Sequence, residues 1–126
     1  MRILFMRREL LLLREMRDAA LAARELVAGL SVEQVEADRM RRSALLWHFT
    51  VLGEAASQVP PETKSSEPAI AWRASTRMRN RIVHGYWDID VATLVATAAD
   101  DLPRMIAQLE ALIMVLDVDD DADQPG

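Results

Sequence analysis

Apolar residues recur every three or four positions along most of the chain, which is the pattern of amphipathic helices. A first helix is predicted from about Arg7 to about Leu30, and its repeating residues are Leu13, Met16, Ala20, Ala23, Val27 and Leu30. Gly29 predicts the end of this helix. Ser31 followed by Gln34 has the pattern of a capping box, so a new segment should begin there.

A second helix is predicted from about Asp38 to about Ser57, with Leu45, Phe49, Leu52 and Ala56 on its apolar face. The stretch from Val59 to Pro68 has three prolines, two serines and no periodicity, which predicts the main loop. A third helix should cover about Trp72 to Val83. It should end near Gly85, and we expect that glycine in the left-handed conformation.

Asp88 or Asp90 is suited to cap a fourth helix, whose apolar stripe is Leu94, Ala98, Leu102, Met105, Leu109, Leu112 and Leu116. Pro103 lies inside that stripe, so we expect a kink or two abutting helices there. No run of alternating apolar and polar residues predicts a strand. The pattern therefore predicts an all-α fold, an up-and-down bundle of four to five helices forming one domain over residues 1–116.

Composition narrows the classes of function. The chain has 126 residues, of which 51% are hydrophobic, and it contains no Cys, which excludes disulfides, thiolate catalysis and Cys-ligated metals. Leu10 to Leu13 is the longest early apolar run and is far shorter than the roughly 20 residues that span a bilayer. These features favour a cytoplasmic protein without a membrane partner.

Charge is distributed unevenly. The net charge is -5, and residues 117–126 contribute five aspartates without a base, so we expect an acidic, disordered tail there. The segment from Trp72 to His84 has the opposite bias, because it holds four arginines and no acidic residue. Guanidinium groups bind phosphates bidentately, and Arg73, Arg77 and Arg81 are therefore candidates for binding RNA phosphates.

The same segment holds the groups needed for metal-free RNA cleavage. His84 could deprotonate a ribose 2′-OH near neutral pH, Arg79 could neutralise the phosphoryl transition state, and Asn80 could orient an oxygen. The nucleophile then comes from the substrate, so no cofactor or metal is expected, and DNA should not be cleaved.

Helix geometry places these groups on different sides. Asn80 and His84 are four residues apart and share a face, whereas Arg79 and His84 are about 140° apart around an ideal helix. Arg79 and His84 can converge only if the helix loosens near Gly85, or if they come from two chains related by a two-fold axis.

Structural interpretations of these residues remain open at this point. An arginine-rich helix with a histidine near its C-terminus is often a solvated face that interacts favourably with the helix dipole. Tyr86 and Trp87 could be core or interface residues, and His48 could be a packed, hydrogen-bonded histidine. Glu54 could be a buried carboxylate that pairs with an arginine of the third helix.

Several motifs together resemble one family. The arrangement Arg79-Asn80-x-x-x-His84-x-Tyr86 is similar to the R-x4-H-x-Y motif of HEPN domains, specifically the HepT-like ribonuclease toxins. The segment 44–56, with its Gly-Glu-Ala core, resembles the second helix of that family. Ala71-Trp72-Arg73 resembles the entry to the catalytic helix of that family. Residues 90–103 resemble the segment that follows the catalytic helix. The resemblance covers roughly Leu12 to Leu112.

The resemblance implies a homodimer in which two motif helices form one composite cleft. It also implies a metal-independent endoribonuclease acting on tRNA or mRNA, with Arg79, Asn80 and His84 as its catalytic residues. The implied partner is a minimal nucleotidyltransferase antitoxin that transfers AMP to Tyr86. The alternative is a non-catalytic helical subunit of a nucleotidyltransferase, which would use the same cleft to bind nucleotide or substrate.

Overall fold

A computed structural model describes residues 2–123 of the chain, with side chains for 7–119. The long helices are α1 (Arg2–Val27), α3 (Arg39–Gln58), α5 (Trp72–Gly85) and α7 (Leu102–Asp123), and the short ones are α2 (Val32–Ala37), α4 (Pro61–Ser66) and α6 (Val91–Ala96). The described residues contain no strand, which confirms the all-α prediction. None of their helices combines the length and the apolar character needed to cross a membrane.

The predicted helix ends are confirmed where local chemistry determines them. Gly29 has a φ of 73° just after α1, a conformation that glycine adopts without strain. The Ser31 hydroxyl accepts from the Gln34 backbone N–H, and the Gln34 side chain accepts from the Ser31 N–H, so the capping box opens α2. The Asp38 side chain accepts from the Arg41 N–H at the start of α3, and the Asp90 side chain accepts from the Ala92 N–H at the start of α6.

The helices pack in the order α7, α1, α3 and α5 around a single core. Arg8 contacts Gln58 and Arg41 contacts the Leu26 carbonyl, so α1 and α3 run antiparallel. The largest fully buried side chains include Phe49, Leu13, Met16, Leu45, Leu52, Leu94, Leu102 and Leu109, all of them from the predicted apolar stripes. On α5 the buried residues are Trp72, Ser75 and Ile82, and the opposite face of that helix is in contact with solvent.

Two local expectations are wrong. The predicted loop between Val59 and Pro68 contains α4, which begins at Pro61 because a proline is favourable in the first turn of a helix, where its missing N–H needs no partner. Gly85 has a φ of -169°, which is extended backbone and not the left-handed conformation. A 3-10 turn, Tyr86–Asp88, continues the chain directly from α5 and removes the need for a left-handed residue.

A π-helical turn, Thr97–Asp101, joins α6 to α7 just before Pro103. The Leu102 N–H donates to the Thr97 carbonyl, five residues earlier. Proline has no N–H to donate and its ring crowds the carbonyl four residues before it, so a widened turn at this point accommodates it. Two abutting helices around Pro103 are thus confirmed, with a π-helical turn between them.

The acidic segment is helical as far as it is described. The expected disorder begins at residue 117, but α7 continues to Asp123. Packing of Leu109 and Leu112 brings α7 against α1, and Arg14 Nη2 donates to Asp117 Oδ1 at 3.1 Å. This pairing favours continuation of the helix past Leu116, the last residue of the predicted apolar stripe. Residues 124–126 lie outside the described part, and the division at residue 116 stays a prediction.

Candidate active site

The outward face of α5 is cationic and exposed. Its side chains are Arg73, Arg77, Asn80, Arg81 and His84, all of them exposed. At 100° per residue these positions fall within an arc of about 100°. Trp72, Ser75 and Ile82 are buried on the opposite face. The helix therefore presents one amide, one imidazole and three guanidinium groups together to solvent.

Arg79 occupies a different position on the same helix. It lies about 140° from His84 around the helix axis, on the flank that packs toward α3. Its side chain is only 24% exposed, unlike those of the other arginines of α5. The expected separation of Arg79 from His84 is therefore present in the folded chain.

Gly53 of α3 makes room for Arg79. A Cβ atom built on Gly53 would lie 2.3 Å from the Arg79 Cβ and 2.5 Å from the Ser75 carbonyl oxygen. Both distances are shorter than any ordinary contact, so α3 and α5 can be this close only with glycine at position 53. This role of Gly53 is not predicted from the sequence, although an isolated glycine within a helical pattern often marks close packing.

Glu54 orients the guanidinium of Arg79 through an ion pair and does not take up its hydrogen-bond donors. Arg79 Nη2 and Glu54 Oε2 are 3.6 Å apart, an ion pair that is too long for a hydrogen bond. The Arg79 Nε atom is buried, and it has no hydrogen-bond partner among the described residues. The expected pairing of Glu54 with an arginine of the third helix is thus confirmed, but the expected burial of Glu54 is wrong, because its side chain is 52% exposed. The hydrogen-bonding capacity of Arg79 Nη2 remains available for a phosphate.

Glu54 is itself held by neighbouring side chains. Gln58 Nε2 donates to Glu54 Oε1 at 3.0 Å, which leaves Oε2 facing Arg79. Arg8 Nη2 donates to Gln58 Oε1, also at 3.0 Å. A line of polar contacts therefore extends from α1 through α3 to Arg79, and it fixes the carboxylate that orients the arginine.

The aromatic residues that follow His84 are at the surface. Tyr86 is 62% exposed and Trp87 is 74% exposed, so neither belongs to the core of this chain. Their rings make an edge-to-face contact with centroids 5.2 Å apart. The Tyr86 hydroxyl is therefore part of a surface that continues directly from the C-terminal end of α5.

Exposed apolar side chains lie on both α3 and α5. Trp47 on α3 and Val83 on α5 are both more than half exposed. Val83 follows Arg79 by four residues and therefore lies on the same flank of α5. The other histidine, His48, is half-buried on α3.

The described residues contain no group of three His, Asp or Glu side chains placed to hold a metal ion. The exposed guanidinium groups and the imidazole described above lie on α5. Their positively charged side chains suit a polyanion, and the imidazole beside them suits proton transfer.

Comparison with known proteins agrees with this chemistry. A family model described as "Ribonuclease HepT-like" matches residues 16–112. The chain is 30% identical over 88 residues to "Probable ribonuclease HepT" of Thermococcus cleftensis, covering 70% of this chain and 80% of that protein. It is 22% identical over 89 residues to a protein of Caldanaerobacter subterraneus that is provisionally named an RNase, covering 71% and 80% of the two chains. No solved structure matches the chain.

The matched region extends from the middle of α1 to the middle of α7 and includes all of α3 and α5. It therefore contains Gly53, Glu54, Arg79, Asn80, His84 and Tyr86. With a family model matching most of the chain, and a relative at 30% identity over most of its length, the chain belongs to the HepT-like ribonuclease family.

Proposed function

We propose that the chain is a metal-independent endoribonuclease that cleaves RNA by attack of a ribose 2′-OH on the adjacent phosphate. The observation that carries the proposal is the outward face of α5, where His84 and Asn80 are exposed among three arginines. An exposed imidazole can reach a substrate hydroxyl, and the arginines attract the phosphate backbone. The ribonuclease names of the relatives support the same reaction.

Each proposed catalytic residue has one role. His84 takes the proton of the 2′-OH while the 2′-oxygen forms a bond to phosphorus. The bond from phosphorus to O5′ breaks, and the imidazolium returns a proton to the departing O5′. Arg79 neutralises the charge that develops on the phosphoryl oxygens, and Asn80 orients the phosphate or hydroxyl. Arg73, Arg77 and Arg81 bind neighbouring phosphates.

We also propose that the active form is a homodimer. Arg79 and His84 leave α5 about 140° apart, so one chain cannot direct both at the same phosphate while α5 stays helical. The flank of α5 that carries Arg79 also carries the exposed Val83, and Trp47 is exposed on the neighbouring helix α3. Contact between two α5 helices along the side that lies between Arg79 and His84, where Val83 is exposed, would bury apolar surface and bring Arg79 of one protomer toward His84 of its partner.

Mixing two inactive variants tests the composite cleft. Arg79→Ala and His84→Ala are each expected to be inactive alone. After mixing under conditions that exchange protomers, half of the dimers are mixed, and each mixed dimer has one intact Arg79–His84 pair. About a quarter of the wild-type cleavage rate should therefore return. No recovery in verified mixed dimers would show that both groups of one cleft come from the same chain.

Incubation of purified protein with total cellular RNA in excess chelator tests the proposed reaction. Discrete fragments ending in a 2′,3′-cyclic phosphate are expected, whereas a DNA oligonucleotide of the same sequence should stay intact. Intact mass must first exclude an AMP adduct on the preparation. If the unmodified dimer cleaves no RNA class, the alternative is favoured, a non-catalytic subunit that binds nucleotide or substrate for a nucleotidyltransferase.

The proposed biological setting is a toxin–antitoxin pair in the cytoplasm, with tRNA or mRNA as the substrate. The partner is a minimal nucleotidyltransferase that modifies Tyr86. The exposed Tyr86 hydroxyl would attack the α-phosphate of ATP, form a phosphodiester to AMP and release pyrophosphate. The added phosphate would place a negative charge two residues from His84. It would repel RNA and compete for the arginines of α5.

A further inference from the structure

We propose that Trp87 stacks on an unpaired base of the substrate and so restricts this face of the protein to single-stranded RNA. The inference rests on the proposed ribonuclease function and specifies which RNA that site accepts. It starts from the exposure of Trp87, which the cleavage chemistry does not require.

Trp87 differs clearly from the tryptophan at the other end of α5. Trp72 is 7% exposed, and its Nε1 donates to the Glu67 carbonyl at 2.9 Å, as is usual for a structural indole. Trp87 is 74% exposed, and the described aromatic contact to it comes from Tyr86 alone. Most of the Trp87 ring surface is therefore open to a planar ligand.

The charge around Trp87 favours a nucleic acid as that ligand. Residues 72–88 hold four arginines and one carboxylate, Asp88, so the helix and its exit are strongly positive. Single-stranded nucleic acid is typically bound by a cationic surface along its backbone together with aromatic side chains under its bases. The arginines of α5 supply the cationic surface, and Trp87, the residue directly after the proposed modification site Tyr86, supplies the aromatic side chain.

Stacking on Trp87 would select single strands. The bases of a duplex are already stacked and paired, so a ring at the protein surface cannot reach their faces. Phosphates, in contrast, are accessible in both forms. The arginines should therefore bind either form, and Trp87 should add affinity for unpaired RNA only.

Binding of 2′-O-methyl RNA tests this without cleavage, because that oligonucleotide lacks the nucleophile. Trp87→Ala should weaken binding of the single strand about tenfold, within the range measured for loss of one stacked base. Trp87→Phe should keep most of the affinity but lose the quenching of indole fluorescence. Binding of the matching duplex should not change. Met114→Ala removes another exposed apolar side chain, 71% exposed on α7, and should change neither affinity.

Two results would overturn the inference. If Trp87→Ala lowers the affinity for single strand and duplex equally, Trp87 supports the fold of the site and does not stack on unpaired bases. A loss accompanied by dissociation of the dimer in sedimentation, and reversed at high protein concentration, would make Trp87 an interface residue. Wild-type binding without cleavage of ordinary RNA would instead refute the proposed ribonuclease while leaving the stacking intact.

Discussion

His84→Ala should lower the rate of RNA cleavage by roughly 10²- to 10⁴-fold, the usual contribution of a general acid–base residue. His84 is the exposed imidazole on the cationic face of α5, and alanine can neither accept nor return the 2′-OH proton. The arginines of the face remain, so affinity for RNA should stay within a few-fold of wild type. The loss should therefore appear in kcat and not in KM.

The control for this variant is His48→Ala, which removes the other histidine of the chain from a half-buried position on α3. It should keep the cleavage rate of wild type once the folded fraction has been matched by circular dichroism. Rates are measured in single turnover with excess protein, and affinity with 2′-O-methyl RNA. A His84→Ala protein that cleaves at the wild-type rate would remove the imidazole from the mechanism.

Gly53→Ala should destabilise the protein by about 1–3 kcal/mol and reduce cleavage along with stability. In a solvated helix the same substitution would stabilise by about 1 kcal/mol, because alanine has the higher helix propensity. Here the new Cβ would lie 2.3 Å from the Arg79 Cβ and 2.5 Å from the Ser75 carbonyl oxygen. Both atoms belong to the rigid part of α5, so the helices must separate and Arg79 must shift. Steric overlap therefore outweighs propensity.

Gly85→Ala is the matched control, since a Cβ on Gly85 would meet only the Asp88 Cβ, at 4.0 Å, and its φ of -169° suits any residue. Urea denaturation should give a lower midpoint for Gly53→Ala and little change for Gly85→Ala. Cleavage by the folded fraction of Gly53→Ala should remain reduced, because Arg79 is displaced. Full activity of that fraction would mean that cleavage does not depend on the exact position of Arg79 relative to α3.

Periodicity and capping chemistry predicted the helices because both are local. The apolar stripe of α1, the Gly29 stop and the Asp90 cap depend on residues within a few positions of one another, and the structure confirms them. The helical continuation past residue 116 was not predictable in this way. It involves a contact between Arg14 and Asp117, which lie far apart in the sequence.

In the candidate site, too, the local features were predictable from the sequence and the features that depend on helix packing were not. The spacing of Asn80 and His84 was enough to place them on one face, and the 140° offset of Arg79 followed from helix geometry. The role of Gly53 was not predictable, since it depends on how closely two helices approach. The line from Arg8 through Gln58 to Glu54 likewise exists only after α1 and α3 have packed.

The opposite placement of Arg79 and His84 on α5 has a consequence for dosage. On the proposed arrangement a lone protomer holds an oriented arginine but no histidine to work with it. Below the dissociation constant of the dimer, the number of complete clefts rises with the square of the protein concentration. Doubling the amount of chain in a cell would then quadruple its cleavage capacity. A small excess of this chain over its proposed partner would therefore be enough to change the cell from undetectable to active RNA cleavage.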